Sequence, residues 1–144
     1  MLRLALVLAC LAAPASATNV PDALALASAE RQRAGLAPLR YDPRLGRAAL
    51  TQADYMRRRG RMSHTGPNGS SVADRARSAG YRMCHGAENV ADGWRSPQSV
   101  NRAWMDSPAH RRNILNPRIT EGAVAAVAGA DGRLFWVMVL GSRC

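Results

Sequence analysis

The chain predicts an α+β layer fold, and three observations carry that expectation. Cap-then-proline pairs such as Asp42-Pro43, Ser96-Pro97 and Ser107-Pro108 mark helix starts. These helices fall before and between the extended segments instead of alternating strictly with them. Near the C-terminus two apolar runs rich in β-branched residues, 119–127 and 134–140, flank Gly129-Ala130-Asp131-Gly132 and read as an antiparallel hairpin.

Taken in order, Asp22 is placed to cap a helix over 23–34, with Gly35 as its stop and Pro38 beyond. Leu24, Ala27 and Ala34 repeat at helical spacing and mark its inward stripe, whereas 30–33 reads as a charged outer face. A second helix starts at Asp42-Pro43 and stops at Gly60. Leu45, Ala49, Ala53 and Met56 share one of its faces, and arginines crowd its end, where the helix dipole favours cations. The turn residues Gly66-Pro67-Asn68-Gly69 then place His64 on a loop. Ser70 or Ser71 caps a short third helix ending at Gly80. Residues 81–90 have room for one strand that ends near Glu88. Ser96-Pro97 begins a fourth helix with Val100, Ala103 and Trp104 inward. Ser107 as N-cap and Pro108 as first helical residue begin a fifth, which puts His110 at its third position. Trp94, Trp104, Trp136, Tyr41, Tyr55 and Tyr81 read as core or cleft-wall residues. For Trp94, in the loop 91–95, core packing is preferred over an exposed ring that could meet a lipid or glycan.

The 144 residues, 47% of them apolar, fit one domain. Arg3, the apolar run 4–13 and Ala15-Ser16-Ala17 read as a signal peptide, 1–17, ahead of a single domain over 18–144. Cys10 follows Val7-Leu8-Ala9, a poor lipobox, so a lipid anchor is not expected. Beyond residue 17 the chain is too polar to span a bilayer. Every one of its 20 basic residues is arginine. Losing Arg3 with the leader leaves about +9 on the mature domain. Such a domain is expected to adhere to anionic membrane or envelope surfaces, less so as salt rises. Nucleic acid is a poor partner for an exported chain with a single Phe and few stacking platforms. A secreted location, periplasmic or extracellular, and a monomer are expected. Cys84 and Cys144, which remain after cleavage, are suited to one disulfide in an oxidising compartment.

Several pieces recur in a known order: 30–39, Asp42-Pro43-Arg44-Leu45, Ser63-His64, Asp74-Arg75, Ala79-Gly80-Tyr81, Glu88-Asn89-Val90, 104–115 and Glu121-Gly122-Ala123. This set resembles the CAP superfamily, the cysteine-rich secretory, antigen 5 and pathogenesis-related 1 proteins, and in particular its short bacterial members. The resemblance implies a three-layer α-β-α sandwich with a small antiparallel sheet between helices. It also implies a cleft lined by His64, Glu88 and His110, with Asp106 standing where the family has a second glutamate. For some members it implies bound sterols or other lipids, and metal in the histidine cleft.

Chemically, His64, Glu88 and His110 come from a loop, a strand and a helix start, so only the fold can assemble them. Two imidazoles, His64 and His110, with one or two carboxylates could hold a divalent metal such as zinc with a position open for water. The same groups could act as an acid and base pair, or could form a hydrogen-bonded network that ties three elements together. Ser63 is a poor nucleophile for His64, because adjacent side chains seldom face each other. Neither a Gly-x-Ser-x-Gly elbow nor a His-Glu-x-x-His run is present. The residues therefore favour a secreted binding module with a His/Glu cleft for a metal, lipid, glycan or peptide. The alternatives are a hydrolase of peptide or envelope substrates, with His64, Glu88 and His110 as its catalytic candidates, and a structural or adhesive interaction protein.

Overall fold

The computed structural model describes residues 17–144, so the expected leader lies outside the described residues except for Ala17. In chain order the elements are β1 (Ala17–Asn19), α1 (Pro21–Arg33), β2 (Arg40–Tyr41), α2 (Pro43–Arg59), α3 (Val72–Ser78), β3 (Met83–Asp92), α4 (Pro97–Asp106), α5 (Pro108–Ile114), β4 (Glu121–Ala128) and β5 (Leu134–Arg143). The sheet runs β1, β4, β5, β3 with antiparallel pairing throughout, and the short β2 adds to β4 in parallel.

Strand alternation divides the core into two layers of packing. Ala123, Ala125 and Val127 of β4, with Phe135, Val137 and Val139 of β5, meet Leu45, Ala49, Ala53 and Met56 of α2. Val124 and Ala126, with Trp136, Met138 and Leu140, meet Leu24 and Ala27 of α1 and Val100 and Trp104 of α4. Both faces of β4 and β5 are thus covered by helices, which explains why these strands read as unbroken apolar runs. The result is the expected α-β-α sandwich. Each large side chain so buried contributes about 1.5–3 kcal/mol.

Local chemistry sets most boundaries as expected. The Asp42 side chain accepts from Arg44 N at 2.8 Å, and α2 ends at Gly60 with φ +63°. Reciprocal capping boxes, Ser71 with Asp74 and Ser96 with Ser99, start α3 and α4.

Other boundaries differ. Asp22 does not cap α1: Pro21 takes the first helical position, Val20 precedes it without a side-chain bond, and Asp22 sits inside the first turn near the dipole's positive end. Ser107 likewise makes no side-chain cap bond, although α5 does begin at Pro108 with His110 third. The strand expected to end near Glu88 continues to Asp92, because pairing with β5 runs on to Asp92 opposite Phe135. β5 extends to Arg143, where the Cys84–Cys144 disulfide joins the ends of the two strands. Ala34 is exposed and Arg31 buried, the reverse of the expected arrangement on α1.

Arg31 shows why. Its Nε donates to Ala37 O at 2.9 Å, Nη1 to Ile114 O and Asn116 O at 2.8 and 2.9 Å, and Nη2 to Ile119 O at 2.7 Å. One guanidinium thus satisfies carbonyls left over where α5 ends and fastens that helix to α1.

Candidate functional site

β3 lies at the sheet edge, and its alternation sends consecutive residues to opposite layers. Val90 packs with α2 and α3, so Glu88, two residues earlier, points to that side. Asn89 points to the other and meets α5. The Asn89 amide donates to His110 O at 3.1 Å and accepts from Asn113 Nδ2 at 2.8 Å. Asn89 thus satisfies, from mid-strand, the backbone carbonyl of His110. His64 arrives from the α2–α3 loop and His110 from α5, so the two histidines approach the edge strand from opposite layers.

Glu88 is the centre of one side. Its Oε1 lies 2.9 Å from His64 Nδ1, and its Oε2 accepts from Arg75 Nη2. A carboxylate accepts, so His64 donates through Nδ1–H and keeps Nε2 free. Arg75 also donates through Nη1 to Ser70 O at 2.7 Å and His64 O at 3.4 Å, which braces the loop carrying the histidine. Gln52 on α2 supports the same loop by donating to Ser63 O at 2.5 Å. Gly66 leaves room for both groups: a Cβ on it would stand 2.5 Å from Gln52 Oε1 and 2.7 Å from Arg75 Nη1, so a side chain there would displace them. Ser63 Oγ donates to Thr65 O and accepts from Thr65 N, so it serves a local turn.

The electrostatics of the two histidines diverge. The hydrogen bond to Glu88 raises the His64 pKa above its ordinary value, against partial desolvation and the positive charge of Arg75. Burial lowers that of His110, and the charge of nearby His64 adds to the effect. The two imidazoles are therefore shifted in opposite directions from their ordinary value.

The expected residues are only partly assembled. His64 and Glu88 line one open cavity of 460 Å³ with Ser70, Ser71 and Val72. His110 lines a neighbouring groove with Met62, Val90, Trp94 and Trp104. Asp106 is exposed at the end of α4 and makes no hydrogen bond to the trio among the described residues. No three His, Cys, Asp or Glu side chains among the described residues converge on a point where a metal ion could sit. Trp104, Trp136 and Tyr81 are buried as expected, and Tyr55 is half-buried. Tyr41 and Trp94 are exposed, which overturns the core reading of Trp94. Trp136 Nε1 donates to Trp94 O at 2.8 Å, holding the loop while the ring turns outward.

Arg75 was not among the candidates. In a chain with 20 arginines, charge gives no reason to single it out. Its spacing does: Arg75 stands three residues after Val72 and one before the buried Ala76, on the inward face of α3.

Comparison with known proteins places this geometry in context. The Cysteine-rich secretory protein family (CAP) matches residues 24–140. The uncharacterized protein YkwD of Bacillus subtilis is 38% identical over 102 residues, covering 71% of this chain and 40% of that protein. The chain thus spans well under two thirds of this relative. Among solved structures, an outer surface protein of Borrelia burgdorferi superposes with a TM-score of 0.78 at 19% identity, covering 90% of this chain and 100% of the other. An extracellular protein containing an SCP domain from Bacillus anthracis gives 0.76 at 22% identity, over 85% and 40%. A cysteine-rich secretory protein of Staphylococcus aureus gives 0.61 at 17%, over 88% and 40%. At these identities the structural likeness establishes the fold.

Proposed function

The chain belongs to the cysteine-rich secretory protein family, and from that premise we propose that it is a secreted binding module whose cationic surface holds it to an anionic envelope. In this reading the cleft around His64, Glu88 and His110 receives a small ligand and does not turn it over. Among the described residues no helix is long and apolar enough to cross a membrane.

The observation that carries the reading is the state of Glu88. Both of its carboxylate oxygens are already engaged, one by His64 and one by Arg75, inside a nearly closed surface. A general base needs an oxygen free to meet the proton it removes. Here the carboxylate orients an imidazole and neutralises a guanidinium instead. Glu88 itself is correspondingly disfavoured as a general base.

The open nitrogens belong to the histidines. A divalent metal such as zinc would need both imidazoles, which line neighbouring cavities, and would supply a fixed positive charge for an oxygen-bearing ligand. Glu88, behind His64, fits the outer role that such sites use to orient a histidine. The donor set fits a labile guest better than a resident ion, because a closed structural site takes four protein ligands.

Zinc titration by calorimetry and by NMR of the histidine rings tests the cleft. The expected result is weak binding that moves both rings and is lost in His64→Ala/His110→Ala; equal binding by both proteins removes the metal from the reading. A panel of peptide, ester and glycan substrates tests the rest. Turnover by the wild type that vanishes in folded Glu88→Gln would overturn the binding-only reading.

A further inference from the structure

Two of the exposed large apolar side chains share one groove. Met62 is 50% and Trp94 43% accessible, and both line the 210 Å³ depression that also holds His110. Its floor is apolar, formed by Val90, Ala103 and Trp104. At this size it is too small to enclose a drug-sized ligand, for which pockets run from roughly 300 to 1,000 Å³. What it offers is a shallow seat with a Trp and a Met standing at its rim.

Arginines flank the lining residues in sequence. Arg61, Arg95, Arg102 and Arg111 are each the chain neighbour of a lining residue, namely Met62, Trp94, Ala103 and His110, and all four are exposed. Among the described residues none of the four forms an ion pair. Of the carboxylates in these segments, Asp92 is paired with Arg133 and Asp106 is exposed. Exposed indole and thioether groups, with four exposed and unpaired arginines beside the lining residues in sequence, match the boundary of an anionic bilayer. There an aromatic ring settles at headgroup depth, and each arginine gains from the negative surface.

We propose that this face is the membrane-docking surface of the protein. Trp94 and Met62 enter the headgroup boundary of an anionic phospholipid bilayer, and Arg61, Arg95, Arg102 and Arg111 meet the lipid phosphates. The proposal rests on the envelope-binding reading above and gives it a lipid partner and a face.

The molecule carries its own probe. Trp104 and Trp136 are 1% and 2% accessible, so a change in indole emission on binding reports Trp94. The purified protein is mixed with vesicles of phosphatidylcholine alone or with phosphatidylglycerol, with and without brominated acyl chains. The expected result is a blue shift and bromine quenching with the anionic vesicles only. In Trp94→Ser and Met62→Ser, which alter exposed side chains and leave the far-UV circular dichroism unchanged, binding should weaken on the order of tenfold each.

Salt-sensitive vesicle binding with unchanged emission, and equal affinity in Trp94→Ser, would overturn this face while leaving the envelope reading in place. Failure to bind anionic vesicles or acidic envelope polymers at any salt would overturn both. A poly-glutamate peptide that shifts the emission where vesicles do not would make the face a peptide site and overturn the lipid assignment.

Discussion

The guanidinium of Arg75 and the carboxylate of Glu88 form an ion pair across α3 and the edge strand, with side-chain exposures of 2% and 3%. The pair makes the His64 side of the cleft rigid: Glu88 fixes the imidazole and Arg75 fixes the loop backbone around it. Removing one partner leaves the other charged and enclosed. Arg75→Met and Glu88→Leu should each cost about 3–5 kcal/mol, and the double variant much less than their sum. Glu88→Gln, which retains an acceptor, should cost about 1–3 kcal/mol. Urea denaturation of the four proteins measures this directly, and additive losses would show that the two side chains act independently.

The two histidines should titrate on opposite sides of the ordinary value. For His64 the folded-state pKa is raised, so its contribution to stability is complete below the unfolded value, about 6.5, and disappears as pH rises through the folded one. For His110 the folded-state pKa is lowered, so folding favours the neutral ring. That contribution is present above about 6.5 and is lost as pH falls towards the folded value. Ring-proton NMR should show His64 titrating above His110. Glu88→Gln should bring His64 down and leave His110 little changed or slightly raised, and an unmoved His64 would contradict the assigned cause.

Arg31 should tolerate no replacement. It ties Ala37, Ile114, Asn116 and Ile119 carbonyls to α1, and no other side chain offers that planar set of donors. Arg31→Ala should cost at least about 3 kcal/mol, and Arg31→Lys should recover only part of it. Hydrogen exchange should quicken first in α5, loosening the segment that carries His110; uniform quickening throughout would argue against that local role.

Reducing the Cys84–Cys144 disulfide should lower stability by about 2–4 kcal/mol, since it closes a loop with a sequence separation of 60. The loss should concentrate at the end of β5. There Arg143 reaches Asp42 at 2.9 Å and Glu121 at 3.2 Å, and Glu121 accepts from Tyr81 at 2.7 Å. Asp42, whose pKa is held at about 2 chiefly by hydrogen bonds from Arg44, should keep its charge in mild acid. Thermal melts of Cys84→Ser/Cys144→Ser with and without Arg143→Ala test whether the two effects overlap, as adjacency requires.

Most element starts were legible because each depends on a few neighbouring atoms. Asp42, Ser71, Ser96 and the glycines at 60, 129 and 132 act through local backbone geometry, which a linear reading captures. Asp22 and Ser107 show the limit, since a residue type suited to a cap need not turn its side chain to the amide. The site residues were grouped by family resemblance, and their arrangement was not legible. His64 and Glu88 do meet, but the acid that stands before His110, Asp106, is exposed, and His110 occupies its own groove.

By itself the sequence determined the layer class and the order of elements, because caps, turns and alternation are short-range effects, and it offered the cysteine pair; only resemblance to a family grouped His64, Glu88 and His110. Tertiary structure alone decided the fate of the charges and rings. Whether an arginine is solvated like Arg95 or enclosed like Arg31 and Arg75 depends on carbonyls and carboxylates delivered by distant segments. Whether a tryptophan is core like Trp104 or outward like Trp94 depends on which neighbour has already filled the space. Burial is a property of the whole packing, and no spacing along the chain encodes it residue by residue.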